Sequence, residues 1–107
     1  MKGVRRRYLA LQLDCEGAVD SQEFMNAVWS AVLKLFGEYG ASKTGLVLID
    51  FDVERRFAIV RVANAAVDTV RAAIASITNI GNRQVAVHVV MVSGTLKALR
   101  RKMGNSF

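Results

Sequence analysis

The sequence predicts an α+β fold, a ferredoxin-like (RRM-like) βαββαβ sandwich with a four-stranded antiparallel sheet, followed by a short C-terminal basic helix. Four apolar segments have the length and the residue alternation of β-strands. Two segments between them carry apolar residues at helical spacing. The order of these six elements is that of the split βαβ arrangement, whose strands usually lie in the spatial order fourth, first, third, second.

The first strand is predicted at residues 7–13, where leucine alternates with other residues. Segment 14–20 contains several acids and is predicted to be a loop. Ser21 is a suitable N-cap for the first helix, which has a continuous apolar face. That helix is predicted to end at Gly37 and Gly40, because glycine tolerates a positive φ.

The second half of the chain repeats the alternation of strands and helices. Its third strand has two apolar faces, and Phe57 on that strand is predicted to belong to the core. The predicted elements are strands at 46–51, 56–62 and 84–92, a helix capped by Asn64 at 66–77, a loop at 79–82, and a basic helix at 96–103.

The chain of 107 residues is predicted to form a single domain, residues 1–107, with one hydrophobic core. Cys15 is the only cysteine, so no disulfide can form within the chain, which is typical of a reducing compartment. The apolar run after the basic N-terminus is too short for a signal peptide or a membrane span. We therefore expect a cytoplasmic protein, or a nucleolar one if the source is eukaryotic.

The net charge of +6 and the pI of about 10.1 favour a polyanionic partner. In the predicted topology the first and second strands begin, and the third and fourth end, at one end of the sheet, here called the lower end. Most cations are expected there, with Arg61 nearby: Lys2, Arg5, Arg6, Arg7, Lys43, Lys97, Arg100, Arg101 and Lys102. Most acids are expected at the opposite, upper end: Asp14, Glu16, Asp20, Glu23, Asp50, Asp52 and Glu54.

The sequence shows no nucleophile–base pair, no phosphate-binding glycine loop and no paired carboxylates at catalytic spacing. His88 is predicted to be structural, because no metal-ligating or catalytic companion is near it in sequence. Trp29 lies off the main apolar stripe of the first helix, and Tyr39 lies beyond it. Both are candidates for contact with a protein partner.

Several short segments together resemble the protein component 2 family of archaeal ribonuclease P, whose eukaryotic relatives are shared with the mitochondrial-RNA-processing ribonuclease. They are Arg7-Tyr8, Ala27-Val28-Trp29, Gly37-Glu38-Tyr39-Gly40, Arg61 after an apolar strand, and Val92-Ser93-Gly94-Thr95-Leu96-Lys97. The resemblance covers essentially the whole chain. Family members often carry longer terminal extensions, so contacts made by such extensions do not transfer.

The resemblance implies a non-catalytic subunit of the ribonucleoprotein that removes the 5′ leader from precursor tRNA. The RNA subunit would perform the catalysis with bound Mg²⁺, and this chain would bind no cofactor of its own. Its implied partners are the ribonuclease P RNA, a TIM-barrel protein subunit, other ribonuclease P proteins and, indirectly, precursor tRNA. The pair with the TIM-barrel subunit is expected to form a two-plus-two heterotetramer.

The leading hypothesis is therefore an RNA-binding subunit whose lower end contacts phosphates. Backbone N–H groups at Ser93-Gly94-Thr95 would begin the last helix and face a phosphate. The predicted RNA contacts are Arg5, Arg6, Arg7, Lys43, Ser93, Thr95, Lys97, Arg100, Arg101 and Lys102.

Two other function classes fit the predicted fold. An acylphosphatase-like enzyme would need a phosphate-cradling loop after the first strand, but segment 14–20 is acidic and would repel phosphate. A ligand-binding regulatory module would bind an amino acid or a metal and would show no dependence on RNA.

Overall fold

A computed structural model describes residues 5–103 of the chain. Within this range no helix is long and apolar enough to cross a membrane. In chain order the elements are β1 (Arg6–Cys15), α1 (Ser21–Ser42), β2 (Val47–Asp52), β3 (Phe57–Ala63), a 3₁₀ turn (Asn64–Ala66), α2 (Val67–Ala75), β4 (Asn79–Ile80), β5 (Arg83–Ser93) and α3 (Leu96–Met103).

The strands form one antiparallel sheet in the order β2-β3-β1-β5-β4. The predicted α+β class and antiparallel sheet are confirmed, but the four-stranded βαββαβ layout is not. The fifth strand, β4, lies in the segment that was predicted to be a loop, and its Asn79 pairs with Gln84 of β5. A strand of two residues is too short to show alternation. Its turn begins at Gly81, whose φ of 64° suits glycine.

One face of the sheet carries α1 and α2 and encloses the larger core. Leu9 and Leu11 of β1 and Val60 of β3 point into it, and Phe24 of α1 and Ile74 of α2 cover them. All five side chains are fully buried or nearly so. The alternation of β1 and the helical stripe of α1 were the signals that predicted this layer, because only one face of each element can be buried.

The two ends of α1 differ from the prediction. Its N-cap is Asp20 and not Ser21: the Asp20 carboxylate accepts the Glu23 N–H at 2.8 Å, and the Glu23 carboxylate accepts the Asp20 N–H at 3.2 Å. This reciprocal capping box satisfies two free N–H groups. The helix also continues to Ser42, because Gly37 (φ 74°, ψ 179°) produces a kink and not an end.

The second helix is shorter than predicted. A 3₁₀ turn at Asn64–Ala66 precedes it, and α2 itself spans only Val67–Ala75. The predicted Asn64 cap is wrong, since no side chain caps either element. Instead, the Asn64 backbone N–H donates to the Arg5 carbonyl oxygen at 2.8 Å. This bond holds the N-terminal segment against the lower end of the sheet.

The other face of the sheet is covered by α3. Leu99 is fully buried against Ala10 of β1 and against Phe57 and Ile59 of β3. The predicted core position of Phe57 is confirmed, since only 5% of this residue is exposed. The helix begins after Thr95, whose hydroxyl oxygen accepts the Ala98 N–H at 3.0 Å. The two faces of the sheet therefore pack against different helices.

Candidate nucleic-acid interface

The register of the sheet determines which residues meet at the lower end. β1 runs antiparallel to both β3 and β5, so that Arg6 lies opposite Ala63. Tyr8 lies opposite Arg61 on one side and opposite Ser93 on the other. The start of β1 and the ends of β3 and β5 thus lie side by side. The N-terminal arginines and the segment before α3, which are far apart in sequence, are neighbours in space.

Arg7 of the first segment lies close to Gly94 of the second. The Nη1 atom of Arg7 lies 3.1 Å from the position that a Cβ atom would occupy on Gly94. The same nitrogen also lies within 3.5 Å of the Arg6 carbonyl oxygen, to which it donates. A side chain at position 94 would press on the guanidinium, because a 3.1 Å approach is closer than ordinary van der Waals contact. Glycine at this position therefore allows Arg7 to lie across the turn into α3.

Ser93 and Thr95 have structural partners at this turn. Ser93 is buried, and its hydroxyl oxygen lies 3.5 Å from the Thr95 N–H. The Thr95 hydroxyl oxygen is the cap of α3, as described above. Both predicted RNA-contact residues thus shape the start of the helix. Thr95 is exposed at the lower end, next to Gly94, which Arg7 approaches.

Lys43 reaches the lower end from the end of α1. The carbonyl oxygen of the next residue, Thr44, accepts the Ala63 N–H at 2.8 Å, which ties this segment to the end of β3. The Lys43 Nζ atom lies 4.9 Å from the centroid of the Tyr39 ring, within the range of a cation–π contact. Tyr39 is 76% exposed, so the ammonium and the ring present a mixed cationic and aromatic surface to solvent.

The placement of Arg100 at the lower end is wrong. Its Nη2 atom lies 3.3 Å from a carboxylate oxygen of Asp50, an acid that had been assigned to the upper end. Asp50 pairs with Ile59 in the middle of the sheet. The reason is the burial of Leu99, which draws α3 across the sheet face and not past its end. Lys97, Arg101 and Lys102 are exposed on the same helix.

Ion pairs are unevenly distributed over the sheet. At the upper end Glu23 pairs with Arg83 at 2.9 Å, and Asp52 lies 3.8 Å from Arg55. Two of the acids that were predicted there, Glu23 and Asp52, thus have arginine neighbours. At the lower end the cations have no carboxylate within ion-pair distance in residues 5–103, namely Arg5, Arg6, Arg7, Lys43 and Arg61. Lys2 lies outside the described residues.

Arg61 lies at this end, although the sequence analysis placed it only nearby and did not include it among the RNA contacts. It lies on β3 with Phe57 and Ile59, on the face that α3 covers, and is only partly exposed. Its Nε atom is buried and makes no hydrogen bond in the described part of the chain. An arginine in an otherwise apolar alternating strand is the sequence signal that identifies this position.

Trp29 is half-buried on α1 and packs against the larger core. Leu33 and Phe36 follow it at helical spacing on one side of α1, and both are more than 40% exposed. Together these three residues form an apolar strip, here called the α1 strip, that remains partly exposed to solvent. The α1 strip is therefore a candidate surface for contact with a protein partner.

No group of three or more histidine, cysteine, aspartate or glutamate side chains in the described range is placed to hold a metal ion. Cys15 is a free thiol whose Sγ atom lies 3.9 Å from the Gly17 carbonyl oxygen. His88 is exposed on β5. Within residues 5–103, the cations of the lower end therefore form the best candidate surface for binding an anion.

Comparisons with known proteins agree on one family. The model of a family described as Rpp14/Pop5 matches residues 7–104. A "Ribonuclease P protein component 2" from Pyrococcus furiosus is 31% identical over 103 residues, which cover 96% of this chain and 86% of that protein. The protein of the same name from Archaeoglobus fulgidus is 38% identical over 98 residues, covering 92% and 87%.

Among solved structures, the fold resembles a chain in a cryo-EM structure of yeast ribonuclease MRP. The TM-score is 0.68 at 19% sequence identity, and the match covers 90% of this chain and 79% of that one. At this identity the likeness concerns the fold alone.

Proposed function

The chain belongs to the Rpp14/Pop5 family, and on that premise we propose that it is a non-catalytic protein subunit of ribonuclease P. The observation that carries this proposal is the similarity, over more than nine-tenths of the chain, to proteins named ribonuclease P protein component 2. The proposed role is to stabilise the catalytic RNA and thereby to promote removal of the 5′ leader from precursor tRNA.

The lower end supports the RNA-binding part of the proposal. Five cations there lack a carboxylate partner within the described range, so their charge is available to an external polyanion. Cations near the backbone of a folded RNA displace its counterions and reduce the repulsion between phosphates. A folded RNA active site would then need less Mg²⁺ to form. The chemistry itself would belong to the RNA and its bound Mg²⁺.

The α1 strip supports the partner-binding part of the proposal. Trp29, Leu33 and Phe36 lie on the layer of helices, and Tyr39 follows on the same helix beyond the kink at Gly37. A TIM-barrel subunit that buried Trp29, Leu33 and Phe36 would leave the arginines at the start of β1 and at the end of β3 free for RNA. The proposed complex contains two copies of each of these proteins. Aromatic residues near the centre of an interface contribute most of its binding energy, which makes Trp29 the natural anchor.

Reconstitution tests the proposed function. The purified chain and its TIM-barrel partner are added to the RNA subunit, and cleavage of precursor tRNA is followed at limiting Mg²⁺. We expect the two proteins together to raise the rate and to lower the Mg²⁺ concentration needed for half-maximal cleavage. The control omits this chain alone. An unchanged rate at every Mg²⁺ concentration, with both proteins folded, would contradict the proposal.

A further inference from the structure

We propose that the lower end binds the phosphate backbone of double-helical RNA, centred on Arg61, and does not bind unpaired bases. The inference rests on the RNA-binding role proposed above and specifies the class of RNA. It follows from two features of the structure: the aromatic side chains of the sheet are packed in the two cores, and a partly buried arginine at the lower end lacks a partner in residues 5–103.

Proteins that bind single strands stack successive bases on exposed aromatic side chains. In residues 5–103 the sheet aromatics do not offer such a platform. Phe57 lies in the small core beneath α3, and Tyr8 packs against the same core. Tyr39 is exposed, but one side of its ring is occupied by the Lys43 ammonium. A single ring of this kind cannot stack a run of bases.

Arg61 is placed to receive an anion. Its cross-strand neighbours are Tyr8 on β1 and Val47 on β2, neither of which can neutralise a guanidinium. The buried Nε–H of Arg61 has no acceptor in the described part of the chain. The Arg61 side chain is partly exposed, and no carboxylate in residues 5–103 pairs with it, so a phosphate oxygen at its exposed part would form a charge-assisted contact that the free protein lacks.

A second arginine lies beside it. Arg6 pairs with Ala63, and Arg61 is two residues before Ala63 on the same strand, so Arg6 and Arg61 are diagonal neighbours. Residues in this relation are about 7–8 Å apart and share a face of the sheet. Two arginines on neighbouring strand positions of one face raise the local positive potential, which a bound anion would lower. Arg7 lies at the same end of the sheet, close to Gly94, and adds a third cation there.

A duplex fits these cations better than a single strand does. Arg6 and Arg61 lie on paired strands, so the spacing of their backbone positions is set before binding. A double helix presents phosphates at a regular and equally rigid spacing, and contacts to phosphates alone carry shape but no sequence information. A flexible single strand would lose conformational freedom at this surface without gaining stacking energy.

The test compares the purified chain binding to an RNA duplex of about 16 base pairs and to an unstructured single strand of the same length. Fluorescence anisotropy is measured over a series of salt concentrations. We expect the duplex to bind about tenfold or more tightly, and Arg61→Gln and Arg6→Gln each to reduce the salt slope by about one. Arg71→Gln removes the same charge from an exposed position on α2 and is expected to leave the slope nearly unchanged.

Each outcome is informative. Equal or tighter binding of the single strand overturns this inference and leaves the proposed RNA-binding role intact. Failure to bind either RNA contradicts the RNA-binding role itself. Thermal unfolding establishes whether the Arg61→Gln variant is folded. If it is unfolded, the Arg6→Gln variant reports on the same site, because Arg6 is exposed and its replacement should not affect folding. A folded Arg61→Gln variant with wild-type duplex binding removes Arg61 from the site.

Discussion

Replacing Leu99 with alanine is expected to lower the free energy of unfolding by about 2–5 kcal/mol. Leu99 is fully buried and is the residue by which α3 packs on the sheet. The smaller side chain would leave a cavity against Ala10, Phe57 and Ile59, and α3 has few other buried residues to hold it. Such a loss is a large part of the stability of a domain of this size. Urea denaturation followed by circular dichroism measures it.

The matched control is Leu35→Ala. Leu35 is 49% exposed on α1, so the same substitution removes little buried area and should cost about 1 kcal/mol or less. If Leu99→Ala were no more destabilising than Leu35→Ala, α3 would not be packed on the sheet. Phe57 and Tyr8 would then be uncovered on the sheet face that α3 packs against, and bases could stack on them.

Removing the three N-terminal arginines together should have the largest effect on RNA binding. The variant Arg5→Gln/Arg6→Gln/Arg7→Gln is expected to weaken binding to all RNA sequences alike and to reduce the salt slope by about three. The physical reason is that each arginine neutralises a phosphate and releases its counterions. The measurement is the dependence of the association constant on salt, with the protein at full length.

The control for charge alone is Lys34→Gln/Arg71→Gln, two exposed cations on the helices. The slope change is compared per charge removed. If RNA binds at the lower end, the salt slope should fall by about one per arginine removed in the triple variant and by close to zero per charge removed in the control. Equal changes per charge would mean that RNA responds to net charge only and that no site exists at the lower end.

The sequence predicted those elements whose periodicity is long enough to be recognised. Alternating leucines in β1 and the stripe of α1 each extend over several residues. β1 was found as expected, and the stripe of α1 is packed on the core as far as Val32, whereas Leu35 and Phe36 are exposed. β4 was missed because two residues show no period. The end of α1 was misplaced because a positive φ at Gly37 is compatible with either an end or a kink, and only packing beyond it decides which.

The candidate site was predictable in part for the same kind of reason. Topology alone brings Arg6 beside the end of β3, since antiparallel neighbours must meet there. The path of α3 was not predictable, because an apolar stripe shows which side of a helix is buried but not on what surface. Arg100 consequently pairs with Asp50, a contact that the sequence does not predict. The burial of the Arg61 Nε atom likewise depends on packing around the strand.

The most direct test of the central claim, that RNA phosphates bind at the lower end, is an NMR titration. Backbone amide signals of the labelled chain are followed while an RNA duplex is added. We predict that the largest shifts occur at Arg6, Arg7, Arg61 and the segment 93–95, with small shifts at the upper end around Cys15 and Arg83. Shifts concentrated at the upper end or on the α1 strip, with none at the lower end, would contradict the claim.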